Sequence, residues 1–119
     1  MNAPLASKTK LIYYMALAWT IIIFIGCSLP GNELPDLSSG RDKWTHIAIF
    51  LPFGLLWRAA GRSNVWVLIA GIVYGSLIEI WQGIMPIGRS CDLLDAVADA
   101  AGVVVGLAVA WGLGKVVKV

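Results

Sequence analysis

The stretch VWVLIAGIVYGSLIEIWQGIM, Val65 to Met85, runs 21 residues with Glu79 as its one charged side chain. At a helical rise of about 1.5 Å per residue it is roughly 30 Å long, the thickness of the hydrocarbon core of a bilayer. Three further runs flank it: Leu11 to Leu29, Trp44 to Ala60 and Leu93 to Leu113. Together the four take up about two thirds of the 119 residues. The remainder is too short for a separate soluble domain, a nucleotide-binding module or a large catalytic lid. Composition agrees: 59% of residues are apolar and only 13% charged, with a mean hydropathy of +0.81, against about a quarter charged in soluble domains. The expected fold class is an all-α integral membrane protein, a single domain over residues 1–119 built as a bundle of four transmembrane helices.

Lys and Arg in short loops are retained on the cytoplasmic side, so charge placement gives orientation. Lys8, Lys10, Arg58, Arg62, Lys115 and Lys118 lie in three alternate segments that hold no acid. The other side has Arg41, Lys43 and Arg89 with all seven acids, Glu33, Asp36, Asp42, Glu79, Asp92, Asp95 and Asp99. Both termini are therefore expected in the cytoplasm, and the protein in a bacterial cytoplasmic membrane. The net charge of +2 is topogenic, with no nucleic-acid footprint. Aromatic placement fits this orientation: Tyr13, Tyr14, Trp57, Trp66 and Trp111 fall near the inner boundary, Trp44 and Trp81 near the outer, and Trp19 alone sits mid-span, as a packing or lipid-facing residue.

The outer segment Pro30 to Lys43 is rich in turn residues and reads as a loop, and Pro52 should bend the second span. Lys8 and Lys10 ahead of an apolar run ending Phe24-Ile25-Gly26-Cys27 loosely resemble a lipoprotein signal, but Phe24 and Ile25 suit that motif poorly, and the run is long enough to stay as a span. Cys27 and Cys91 are too few for a disulfide framework. Two packed thiols are the default reading and a bridge between them the alternative.

Chemistry concentrates at the outer ends of the last three spans. Asp42, Lys43 and His46 open the second, Glu79 and Gln82 close the third, and Arg89, Asp92, Asp95 and Asp99 bracket the start of the fourth. Spacings of three and four residues put each set on one helix face. Gly71 and Gly75 continue the Glu79 face inward, and Ala98, Gly102, Gly106 and Ala110 recur every four residues beside Asp95 and Asp99. Small residues at this spacing pack helix on helix, so the same faces should turn the acids into the bundle, toward an outward-facing polar pocket. Five carboxylates against Lys43 and Arg89 are not tolerated at low dielectric unless protons, His46 or a cation neutralise them. Arg89 is the expected partner of Asp92 or Asp95, or the holder of a phosphate or carboxylate.

In these residues the sequence resembles the VanZ-like family, small bacterial membrane proteins associated with low-level resistance to the glycopeptide teicoplanin. The matching motifs are Asp42-Lys43-x-x-His46, Glu79-x-x-Gln82, and Arg89 followed by Asp95-x-x-Ala98-Asp99-x-x-Gly102, with Ser28-x-Pro30-Gly31 and Phe53-Gly54. The family usually has Asn at the position of Asp99, which makes this cluster more acidic. The resemblance implies a role in the cell envelope.

The favoured reading is a non-enzymatic protein whose pocket, Asp42, Lys43, His46, Glu79, Gln82, Arg89, Asp92, Asp95 and Asp99, binds a lipid headgroup, a cell-wall precursor or a glycopeptide. The alternative is a hydrolase or transferase acting on a phosphorylated lipid, with His46 and Glu79 as base and acid and Arg89 on phosphate. No nucleophile-elbow, HExxH or phosphate-loop motif supports it. A small exporter is a third reading, weakened by a first span without a buried relay carboxylate. Membrane lipids are the expected partners, assembly as a homo-oligomer is open, and no cofactor is expected. A divalent ion such as zinc on His46, Glu79, Asp95 and Asp99 is the alternative means of neutralising the cluster.

Overall fold

A computed structural model describes residues 3–28, 41–85 and 93–117. Among these residues the secondary structure is entirely helical: α1 (Ala3–Cys27), α2 (Arg41–Ala59), α3 (Asn64–Ile84) and α4 (Leu93–Val117). The helices follow the apolar runs, except that α1 starts well before Leu11 and takes in Lys8 and Lys10.

The α2–α3 connection shows why these two helices lie side by side in opposite directions. Gly61 adopts a left-handed φ of 110°, and around it Arg62 N–H reaches Trp57 O at 3.2 Å while Gly61 N–H reaches Arg58 O at 3.1 Å. These two bonds close the last turn of α2 in a Schellman motif. Ser63 then caps α3, its hydroxyl accepting from Trp66 N–H at 3.1 Å.

Lys8–Cys27, Asn64–Ile84 and Leu93–Gly114 are each long and apolar enough to cross a membrane. They present a collar of exposed apolar side chains, among them Ile21, Ile25, Ile72, Leu77, Val97 and Val104. The second run, expected as a span on the same footing, is not among these three helices. Arg41, Asp42, Lys43, His46 and Arg58 dilute its apolar content. Its large side chains point inward instead: Phe50, Phe53 and Trp57 are buried in the core, and Trp44 is the one large hydrophobic of its described residues that is exposed.

Glycine sets the helix spacing. A β-carbon on Gly102 of α4 would stand 2.5 Å from Ile47 O, and one on Gly54 of α2 would stand 2.6 Å from Val103 O. The backbones of α2 and α4 therefore touch, running parallel, with Gly106 against Leu51 and Leu55 a turn further along. On the other flank a β-carbon at Gly71 of α3 would stand 2.5 Å from Val103 Cγ2. The small-residue stripes expected to pack helix on helix do so at Gly71, Gly75, Gly102 and Gly106.

Hydrogen bonds dock α1. Trp19, expected as a packing or lipid-facing residue, packs against the core and also donates its indole N–H to Ile49 O at 2.7 Å, three residues before Pro52. Thr20 O accepts from the Tyr74 hydroxyl at 2.5 Å, and Thr20 Oγ1 accepts from Trp57 Nε1–H at 3.0 Å. Trp57, expected at the inner boundary, is consequently a core residue, 6% exposed, with Tyr13 and Trp66 packed edge-on or tilted against its ring.

Candidate functional site

The end of the bundle where α1 and α3 stop and α2 and α4 begin carries the polar side chains. Helix α2 contributes Lys43 and His46, one turn apart. Helix α3 contributes Glu79 and Gln82, and α4 contributes Asp95 and Asp99. Because α2 and α4 run parallel with their contact fixed at Gly102 and Gly54, residues about 52 apart in sequence meet at equal height. Lys43 Nζ pairs with Asp95 Oδ1, and a turn deeper His46 Nδ1 lies 2.6 Å from Asp99 Oδ1. The other ring nitrogen, Nε2, is 3.6 Å from Asp95 Oδ2, so the imidazole stands between two carboxylates.

Burial increases along this series. Lys43 is partly exposed and Asp95 is 6% exposed, while His46, Glu79 and Asp99 are 4%, 2% and 0% exposed. Glu79 Oε2 and Asp99 Oδ2 are both shut off from solvent. Among the described residues of the cluster one cation, Lys43, stands beside three carboxylates, and charges persist in a low-dielectric interior only when paired or hydrogen-bonded. Gly75 accommodates the deepest member: a β-carbon there would stand 2.8 Å from Asp99 Oδ2, so the carboxylate occupies the room a side chain would take.

Gln82, expected within the pocket, is fully buried and donates its amide to Cys27 O at 2.9 Å, satisfying a carbonyl at the end of α1. Trp81 Nε1–H donates to Ser28 Oγ at 3.0 Å beside it. These two bonds hold α1 over the polar end through residues that the sequence marks only as an interfacial Trp and a polar stripe. Cys27 is buried there.

Of the nine expected pocket residues the structure brings together Lys43, His46, Glu79, Asp95 and Asp99, while Gln82 bonds to the end of α1. Asp42 lies in the first turn of α2, with its side chain outside the described residues, as are Arg89, Asp92 and Cys91. Asp95, one of the two acids expected as partners of Arg89, is engaged by Lys43, while Arg89 lies outside the described residues. The α2–α4 register accounts for this pairing, since it puts position 43 beside 95 just as it puts 46 beside 99. The four expected metal ligands also divide. His46, Glu79 and Asp99 each present one ligand-type atom, all within 4.8 Å of one another, and Asp95 is not part of that set.

Residues 10–115 match the model of the family described as VanZ/LLP1. The chain belongs to the VanZ/LLP1 family. With three helices long and apolar enough to cross a bilayer, it is a membrane protein. The matched segment takes in every residue of the polar cluster, so the buried His46–Asp99 pair and its neighbours lie inside the VanZ/LLP1 domain. No curated protein and no solved structure gives a significant match to the chain.

Proposed function

We propose that this VanZ/LLP1 protein crosses the bacterial cytoplasmic membrane four times with both termini in the cytoplasm. In this reading the polar end of the bundle faces outward, binds the headgroup of a lipid or lipid-linked cell-wall precursor, or a glycopeptide, and so contributes to teicoplanin resistance in the cell envelope. The observation that carries it is the convergence of Lys43, His46, Glu79, Asp95 and Asp99 from three helices at one end, on inward faces. Ionisable groups inside a membrane bundle are costly to keep and mark a working site by default. Lys43, partly exposed above the buried members, is the group a polar ligand meets first. Helix α2 serves as the fourth span in this reading because α1, α3 and α4 pack against it and bury His46, Phe50, Phe53 and Trp57.

The test is complementation in a teicoplanin-susceptible host. Wild-type protein should raise the tolerated drug concentration, while His46→Ala, Glu79→Ala, Arg89→Ala and Asp95→Ala should abolish the effect with normal membrane insertion by immunoblot. Glu33→Ala and Asp36→Ala should behave as wild type. Full protection by all four site variants would overturn the reading.

The His46–Asp99 pair favours one second reading, a hydrolase or transferase acting on a phosphorylated lipid. A buried carboxylate that fixes Nδ1 of an imidazole leaves Nε2 as the basic nitrogen, as in hydrolytic triads. Release of phosphate or a transferred headgroup by purified protein, lost in His46→Ala, would support that chemistry over simple binding.

A further inference from the structure

The polar cluster has two layers of different character. In the upper layer Lys43 and Asp95 form an ion pair and neutralise one another. In the lower layer His46, Glu79 and Asp99 come from three different helices and are each at least nine-tenths buried. Their ligand-type atoms lie within 4.8 Å of one another. Buried apolar residues flank them along the same three helices: Phe50, Ile78 and Val103.

The donor chemistry suits an ion. One imidazole nitrogen with two carboxylates is a mixed nitrogen and oxygen set of the kind taken by zinc and neighbouring first-row divalent ions; calcium would want six to eight oxygens. A tetrahedron with bonds of about 2.0–2.1 Å needs donors roughly 3.4 Å apart, so Glu79 would rotate to close the 4.8 Å spread and Asp99 would exchange its 2.6 Å contact with His46 Nδ1 for the ion. The floor of the layer is Gly75, one turn before Glu79, where a β-carbon would crowd Asp99 at 2.8 Å from Oδ2. The glycine contacts that fix α4 against α2 and α3 hold the three backbones at constant separation, so binding asks only for side-chain rotation.

We propose that His46, Glu79 and Asp99 bind one divalent first-row transition ion, with two carboxylates matching its charge and the imidazole supplying nitrogen. The ion displaces the proton shared between His46 Nδ1 and Asp99 Oδ1, and binding releases it. The proposal rests on reading this cluster as the working site. It adds that the site is a metal centre, beneath an ion pair that screens it from the membrane surface.

Full-length, tag-free protein in detergent, stripped with chelator and reloaded with zinc, should retain about one ion per chain after desalting, and cobalt loading should give visible ligand-field bands. Glu79→Gln, which keeps the shape and loses the charge, and His46→Ala should each lower zinc affinity at least about tenfold and abolish the cobalt bands. Trp44→Phe, at an exposed position, should bind as wild type. Helical circular dichroism and a monodisperse elution profile qualify each variant, and Glu79→Gln decides if His46→Ala aggregates. Substoichiometric zinc in the wild type, or equal zinc in the wild type and Glu79→Gln, would overturn the proposal. Metal content is read on purified protein and drug tolerance in cells. A metal-free protein that still confers teicoplanin tolerance sinks only the metal, and a zinc-loaded protein that confers none sinks only the resistance reading.

Discussion

Asp99 sits directly on Gly75. An added β-carbon at Gly75 would stand 2.8 Å from Asp99 Oδ2 and 2.9 Å from Asp99 Cβ, so the carboxylate that meets His46 Nδ1 at 2.6 Å on one side is backed on the other by bare helix backbone. Val103, one turn further along α4, repeats the arrangement between Gly54 and Gly71. Two successive turns of α4 are thus seated between α2 and α3, and that seat sets the height at which histidine and aspartate meet.

Gly75→Ala should therefore damage both packing and site. The clash falls on Asp99 Cβ as well as on the carboxylate tip, so rotation of the side chain does not relieve it, and overpacking of this kind costs about 1–3 kcal/mol. Gly26→Ala, where nothing lies within 4 Å, should leave stability unchanged within about 0.5 kcal/mol. Reversible unfolding in mixed micelles compares the two. Equal stability of both variants would contradict the close seating of α4 on α3.

Asp99→Asn and Asp99→Leu separate hydrogen bonding from charge. Asparagine keeps an acceptor for the His46 ring N–H and removes one buried charge, so it should be no less stable than wild type. Leucine leaves a buried imidazole nitrogen without that acceptor, at a cost of about 1–3 kcal/mol. The same unfolding assay reads the difference, and an asparagine variant as unstable as the leucine one would show that charge holds His46 in place.

Which of these relationships were legible in the sequence follows from what periodicity encodes. Spacing along one helix puts Glu79 in line with Gly75 and Gly71, and Asp95 beside the stripe of Ala98, Gly102 and Gly106, so inward-facing acids and close packing could both be read in advance. Register between helices is not written in either helix alone. The pairing of Lys43 with Asp95 depends on Gly102 meeting Ile47 across the parallel pair α2 and α4, a contact that neither helix's own spacing shows. Trp19 is a similar case. It stands out mid-span in an apolar run, but its partner, Ile49 O, lies 30 residues away on another helix.

The Thr20–Trp57 bond should show measurable coupling. Thr20→Val removes the acceptor and Trp57→Phe the donor, while the Tyr74 hydroxyl keeps its bond to the backbone carbonyl of Thr20 in both. A double-mutant cycle should give about 0.6 kcal/mol and at most about 1.7 kcal/mol, the range for interhelical bonds in membrane bundles. Strict additivity would mean that packing of the indole ring alone docks α1.

Whether α2 spans the membrane is decided by labelling on either side of it. Its polar residues argue against a span when it is taken as an isolated helix, and its enclosure by the other three argues for one, because lipid meets few of its side chains. If α2 crosses, Ser38 and Ser63 lie on opposite sides; if it does not, they share a side. In a background with Cys27 and Cys91 replaced by Ala, a membrane-impermeant maleimide should label Ser38→Cys in intact cells and Ser63→Cys only after permeabilisation. Ser63 is exposed, so its labelling reports the side and not burial, although loss of its cap on α3 costs about 1 kcal/mol. Labelling of both positions in intact cells would remove α2 from the membrane and the four-span topology with it.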